Sequence, residues 1–402
     1  MTPPTAAQQP FSGFKVLDLT QGVAGPYATM LLGLNGADVL KVEPLDGDWA
    51  RRLGAVAGQQ SVNFLAYNRA KRSLAIDLKS VAGRKAMAAA LEQCDIVVES
   101  FRPGVVKRLG LGYEDVVRIR PEVVYASVSG FGQSGPDTGR AAVDTLMQAY
   151  SGMMQMNASA SGEPHRSGMI IVDALTGLFA YQAVSASVLR RARFGGGEYL
   201  DISMMQTAAA FQTSKIMEYQ QAGGSLAPLY VPAGMFKTAD GHIVVSGMRK
   251  AHFSAICNVT GHPELADDPR WPNQYDRVAF ADEINGKLQS AFLQASSQSW
   301  LEKLAAAGVM AERVRSYGEW LREPQVGAVG SVAWVDTDGF GNLPVARVPG
   351  ILPRDDVEGV TQPPRIGEQS MEILGELGFD NSWIEQQVMA GSVGVSRRAQ
   401  RQ

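Results

Sequence analysis

Three runs near the start of the chain decide its fold: Phe14-Lys-Val-Leu-Asp-Leu19, Gly22-Val-Ala-Gly-Pro26 and Ala37-Asp-Val-Leu-Lys-Val-Glu43. The first is short and apolar, the pattern of a buried strand. Pro26 suits the first turn of a helix, where its missing N–H would have no intrahelical partner. Tyr27 to Leu34 supplies the apolar face, and Asn35-Gly36 ends the helix. The third run is the next strand. Strand, helix and strand make a β-α-β unit, and such units build parallel sheets. Asp95-Ile-Val-Val-Glu99 and Val123-Val-Tyr-Ala-Ser-Val128 read as further buried strands. Helices are expected over Gly83 to Gln93, Asp144 to Met153 and Ala174 to Arg193. Phe194-Gly-Gly-Gly197 ends the last of them, and Tyr199-Leu-Asp-Ile-Ser203 returns as a strand.

The chain has 402 residues, which suits one large domain and a smaller one. A composition shift at Gln221-Ala-Gly-Gly-Ser225 marks a linker. The expected layout is a loose tail over 1–10, a large α/β domain over 11–220 and a small domain over 226–324. The segment 332–402 is expected to return to the large domain. Met235 to Ser246 reads as a hairpin turning at Asp240-Gly241. Ser396 to Gln402 reads as a frayed, solvated end. Net charge is −3, which argues against a general nucleic-acid partner. Only Cys94 and Cys257 are present, so a disulfide framework is excluded and a reducing, cytoplasmic setting is expected. His165, His242, His252 and His262 lack metal-ligand spacing, so no metal is expected. No secretory signal is read at the start and no apolar run approaches membrane-spanning length, so no membrane partner is expected.

Met169-Ile-Ile-Val-Asp173-Ala-Leu-Thr-Gly177 places a lone acid in an apolar run. Desolvation makes the charged form of such a carboxylate costly and its reactivity tunable, which suits a nucleophile. The alternative is an N-cap for a helix that Ala174 would begin. The turn at Gly22 to Pro26 is not Gly-x-Gly-x-x-Gly, and Pro26 removes an N–H, so a dinucleotide site is not indicated. Asn68-Arg-Ala-Lys-Arg-Ser73 crowds three cations into four positions, ordinarily a solvated charge run. Ser100-Phe-Arg-Pro-Gly104 lies just past a strand end, where ligands of parallel sheets bind. Arg102 there suits a phosphate, and Lys107 and Arg108 follow one turn later. Ser129-Gly-Phe-Gly-Gln-Ser-Gly-Pro136 follows another strand end, and its glycines allow close backbone approach to a ligand.

In order and spacing, these elements resemble the class III coenzyme A transferases, the group that includes formyl-CoA transferase and carnitine CoA-transferase. The likeness is carried by Leu17-Asp18, Ala24-Gly25-Pro26, Gly36 to Glu43 and Gly47-Asp48. It continues through Asn68, Lys71-Arg-Ser73, Asp77-Leu-Lys79, Phe101 to Gly104 and Gly130 to Pro136. Gln148 to Gly152, Asp173 with Thr176-Gly177, Asp201-Ile-Ser203, Thr238 to Gly241 and Pro364 to Glu368 complete it. The resemblance implies that Asp173 is the catalytic carboxylate. It implies CoA contacts at Gly22, Val23 and Ala24, at Arg72, Ser73 and Leu74, at Ser100, Arg102 and Pro103, and at Arg108, Gly130 and Gln133. It further implies a homodimer of interlocked chains. No cofactor would be permanently bound; coenzyme A, as acyl-CoA, would be a substrate beside a small organic acid.

The chain also departs from the family pattern. Ser100 stands where asparagine is common, Ser129 where some members have lysine, and Gln369 where histidine is frequent. Gly247-Met-Arg-Lys-Ala-His252 is not the glycine-rich loop of formyl-CoA transferase, which argues against formate or oxalate. Arg249, Lys250 or His252 would face a second carboxylate on the acid, or form a solvated basic loop. Ser246-Gly247 and Gly130 are candidate oxyanion donors. The expected chemistry runs from succinyl-CoA or another small acyl-CoA to a free acid such as succinate, itaconate or mesaconate. It passes through an aspartyl anhydride and an aspartyl-CoA thioester. An α-methylacyl-CoA racemase is the alternative, but the histidine such enzymes need in the segment Ala141-Ala-Val-Asp144 is replaced by Val143. A non-catalytic acyl-CoA-binding protein is the third reading.

Overall fold

A computed structural model describes residues 9–158, 162–224, 230–351 and 362–396. Residues 1–8 of the expected tail, Ser225 of the expected linker and residues 397–402 of the expected frayed end lie outside these. Six strands run parallel: β1 (Lys15–Leu19), β2 (Asp38–Glu43), β3 (Arg72–Ile76), β4 (Ile96–Glu99), β5 (Val124–Ser129) and β6 (Glu198–Ser203). Their order is β3-β2-β1-β4-β5-β6. The short strand Val393–Gly394 adds antiparallel to the outer edge of β3, with Val393 opposite Ile76.

Strand residues alternate between two faces, and both faces are covered. Val97 of β4 and Leu17 and Leu19 of β1 pack with the helix Val81–Gln93 and the C-terminal helices Ser370–Glu376 and Asn381–Met389. Ile96 and Val98 of β4 and Val16 of β1 pack with α1 (Ala24–Leu34) and the long helix Ile171–Phe194. This is why the strands read as continuous apolar runs. The long helix spans 24 residues with a hydropathy of 1.3 in its most apolar window, enough by length and composition to cross a membrane. That corrects the sequence expectation that no such run exists. The helix has a packing use for its apolarity: Ala180 and Val184 are buried among α1 and strand residues. Gly177 permits the approach, since a Cβ there would stand 2.7 Å from the Ala24 carbonyl oxygen.

The cationic run Asn68 to Ser73 is not a solvated surface, which corrects the ordinary reading of such a run. Lys71 reaches Asp18 at 3.0 Å, with both side chains fully buried. Burial alone would raise the Asp18 pKa, but Lys71, Lys41 and the hydroxyls of Thr20 and Thr29 outweigh it and hold the carboxyl near 2. Lys41 lies 3.0 Å from Asp48 and donates to the Thr20 carbonyl at 2.9 Å. Arg51 grips Glu43 with two hydrogen bonds, of 2.8 and 2.6 Å, and lies over the Phe64 ring. Asp48 also accepts from the backbone N–H groups of Gly22 and Ala50. The network therefore pins the loops after β1 and β2 to the sheet.

Contacts divide the chain into two units. One comprises Met1–Thr213 with Val332–Gln402, the other Ser214–Ser331. The second unit has its own core, built around Phe236, Phe253, Trp271, Phe292 and Trp300. Its hairpin pairs Ala233–Lys237 with His242–Ser246, and Met310–Arg313 adds a third antiparallel strand.

Candidate active site

The strand order reverses direction between β1 and β4. Crevices open outside the carboxyl ends of strands at such a switch point, because the loops after the two strands turn to opposite faces. Here Gln21, Val23, Ala24 and Gly25 follow β1 and Ser100 to Pro103 follow β4, and both loops line one cavity of about 860 Å³. The Gln21 N–H donates to Ser100 Oγ at 3.0 Å and ties the two loops together. Ser100, where the family commonly has asparagine, thus has a bonding task of its own.

Asp173 opens onto the same cavity. Its helix begins at Ile171, so Asp173 lies within the first turn and is not the N-cap. The cap comes from elsewhere. Asp144 Oδ1 accepts from the N–H groups of Val172 at 2.7 Å and Asp173 at 3.2 Å. Gln148 holds the other Asp144 oxygen at 2.6 Å. Asp144 thereby occupies the amide donors that would otherwise stabilise a charged Asp173. Burial, and then the charge of Asp144, push the Asp173 carboxyl up to about 7. A carboxylate so raised is partly ionised near neutrality and more basic than an ordinary aspartate.

Of the residues singled out from the sequence, Val23, Ala24, Ser100, Arg102, Pro103, Gly130 and Asp173 line this cavity. Gly22 stands just behind it. Its φ is +85°, and a Cβ would run into the indole of Trp49, itself on the cavity wall. Arg72, Ser73 and Leu74, expected as CoA contacts, do not line this cavity. Arg72 opens β3 opposite Leu40, at mid-strand of β2, far from the strands' carboxyl ends. Asp38, Glu372 and Glu376 hold its guanidinium at 2.7, 3.2 and 2.9 Å. Ser73 donates to Glu43, and Leu74 is core. Only Asp77-Leu78-Lys79, past Ile76, leaves this strand on the side of the crevice.

Arg108, in the short helix Val105–Arg108, is exposed and does not line the cavity. Gln133 is also outside it, its N–H donating to Asp201. Ser246, Gly247, Arg249 and His252 belong to the second unit. There Ser246 bonds Tyr230 at 3.0 Å, Gly247 offers its carbonyl to Arg277, and Arg249 stands at the N-cap position of the helix Lys250–Val259 without a side-chain capping bond. His252 Nδ1 is buried without a partner among the described residues.

Sequence reading missed Asp144, Trp49, Arg140 and Arg166 on the cavity wall. Asp144 carried one usable signal, an acid opening the helix Asp144–Tyr150. Its bond to a helix 28 residues away carried none.

Fold and site together define a doubly wound α/β enzyme with a raised-pKa carboxylate at a nucleotide-type crevice. The chain belongs to CoA-transferase family III, which it matches over residues 11–370, and it is an enzyme of that class. It is 32% identical over 396 residues to the succinyl-CoA:glutarate CoA-transferase of Mus musculus, covering 96% of this chain and 91% of that one. It is 35% identical over 335 residues to the acetyl-CoA:oxalate CoA-transferase of Acetobacter aceti, covering 81% and 86%. The crystal structure of a CAIB/BAIF family protein from Brucella suis matches with a TM-score of 0.80 at 28% identity, covering 92% of this chain and 99% of that one.

Proposed function

We propose that the chain moves CoA from a small acyl-CoA to a free dicarboxylic acid, with Asp173 as the nucleophile. The observation that carries this is a carboxyl raised to about 7 on the wall of the switch-point cavity. Its oxygen attacks the thioester carbonyl, and CoA leaves as thiolate, giving a mixed anhydride. The thiolate attacks the Asp173 carbonyl and releases the donor acid as carboxylate. The acceptor carboxylate then attacks the aspartyl-CoA thioester, and the thiolate returns to the acceptor carbonyl, freeing Asp173. One negative charge enters and leaves each step, so no net proton transfer is needed. An anhydride keeps the thioester's activation, which a serine ester would lose. Backbone N–H groups near Gly130 are the candidate stabilisers of each oxyanion. A racemase is disfavoured, because Val143, next to Asp144 on this wall, has no proton to give or take.

The CoA nucleotide is assigned to the loops holding Val23, Ala24, Ser100 and Arg102. Among the described residues Arg102 has no acidic partner, so its guanidinium is available for phosphate. Arg102→Ala is expected to weaken CoA binding by about 1.5–3 kcal/mol, the worth of a charged hydrogen bond. Unchanged affinity in calorimetry would remove Arg102 from the site.

The working form is proposed to be a homodimer of interlocked chains. Leu146, Tyr150, Leu189, Phe194 and Phe211 are all exposed, with Phe194 at 75%. Exposed large apolar side chains in this number suit a chain that associates. Sedimentation at micromolar concentration is expected to show two chains; a monomer would overturn this.

A further inference from the structure

Three arginines line the cavity that holds Asp173: Arg102, Arg140 and Arg166. Arg140 is engaged by Asp137 at 3.1 Å and lies against the rings of Phe131 and Tyr150. Arg102 follows β4 beside the loop after β1. Arg166 shares with Arg102 the lack of a hydrogen-bond or ion-pair partner among the described residues, and it is solvent-exposed on the cavity wall; unlike Arg102, it precedes Asp173 by only seven positions.

The residue after it is held by the same group that sets Asp173. The Ser167 N–H donates to Gln148 Oε1 at 3.0 Å. Gln148 Nε2 donates to Asp144 Oδ2 at 2.6 Å and to the Met169 carbonyl at 3.3 Å. Asp144 in turn accepts from the Asp173 N–H. One Gln148–Asp144 pair therefore ties the main chain beside Arg166 to the main chain of Asp173. Such coupling anchors the main chain from which the Arg166 side chain springs beside the main chain of the reacting carboxyl, the kind of support a specificity pocket needs.

Charge also calls for a cation here. The wall already carries Asp144 and Asp173. A diacid thioester adds another negative charge at the end of its acyl chain, and an unpaired charge in a confined site is costly. A planar guanidinium is suited to take a carboxylate with two bonds.

We propose that Arg166 binds the terminal carboxylate of a dicarboxylic acyl group and so selects diacids over monoacids. This rests on the reading of the cavity as the acyl-CoA site. It moves the selecting cation from Arg249, Lys250 and His252 of the second unit to the loop before Asp173.

Calorimetry with CoA, pentanoyl-CoA and glutaryl-CoA tests it, since the two thioesters share a five-carbon acyl chain and differ in the terminal carboxylate. Wild type is expected to prefer glutaryl-CoA by roughly ten- to hundredfold, the range of a charged hydrogen bond. Arg166→Gln should abolish the preference and leave CoA affinity unchanged, and Arg166→Lys should restore part of it. No preference in wild type, or a preference kept in Arg166→Gln, overturns the proposal. An equal loss for all three ligands also overturns it, since Arg166 would then be a phosphate contact. Failure of wild type to exchange CoA with any acid would refute the transfer reading instead, and the glutaryl-CoA preference would still decide Arg166.

Discussion

Asp173→Ala is expected to fold, bind CoA and lose CoA exchange between acyl-CoA and free acids. The helix survives because its cap is Asp144, whose bonds go to the backbone N–H groups of Val172 and Asp173 and not to the deleted side chain. Wild type incubated with acyl-CoA and hydroxylamine should carry a hydroxamate on Asp173, visible as a mass change on one peptide. Only an activated aspartyl carbonyl is electrophilic enough for that. The pH dependence has a definite sign. Asp173 titrates near 3.8 in the unfolded chain and near 7 in the folded one. Between those values the folded state keeps a proton that the unfolded state has lost, so this group's effect lowers stability as pH rises. Asp173→Asn removes the titration. It should therefore gain little over wild type at pH 4 and up to about 4 kcal/mol above pH 7, in urea unfolding. For a carboxylate nucleophile, kcat/KM should rise through about pH 7. A folded Asp173→Ala enzyme exchanging CoA near the wild-type rate would sink the mechanism.

Asp48→Ala is expected to destabilise the protein by roughly 3–5 kcal/mol, the usual effect of breaking a buried ion pair from one side. Lys41 would be left charged with no exposed surface and without its nearest carboxylate. The Gly22 and Ala50 N–H groups would lose their acceptor as well. Because Trp49 and the loop after β1 line the cavity, CoA affinity should fall together with stability. Replacing both partners, Lys41→Met with Asp48→Leu, should recover much of the stability and less of the affinity, since the apolar pair cannot hold the Gly22 N–H. Chemical denaturation and calorimetry read the two losses separately. A stability change below about 1 kcal/mol in Asp48→Ala would show that the network does not anchor these loops.

Much of the large unit was legible from local pattern. The apolar runs of β1, β2, β4 and β5 and the helix with Pro26 in its first turn, like the Asp240-Gly241 hairpin of the second unit, each carry their periodicity or turn chemistry within a few residues. Boundaries were less legible. Asp144 to Met153 was expected as one helix, but it stops at Tyr150 and a second begins at Met153, with Gly152 between them at φ +79°. The long helix was expected from Ala174 and starts at Ile171, because its cap lies in another segment.

The sequence by itself determined a parallel sheet, a carboxylate in an apolar setting and an arginine just past a strand end. Each depends on neighbours along the chain. Only the tertiary structure decided which of the other motif residues face the crevice. Arg72 looked like a ligand cation, yet it opens its strand and pairs with Asp38, Glu372 and Glu376. Lys71, one position earlier, is buried on Asp18. Strand direction and sheet order settle such questions, since they set which end of each strand meets the switch point. They arise from pairings between residues far apart in sequence, as does the contact that makes Asp144 the cap and electrostatic neighbour of Asp173.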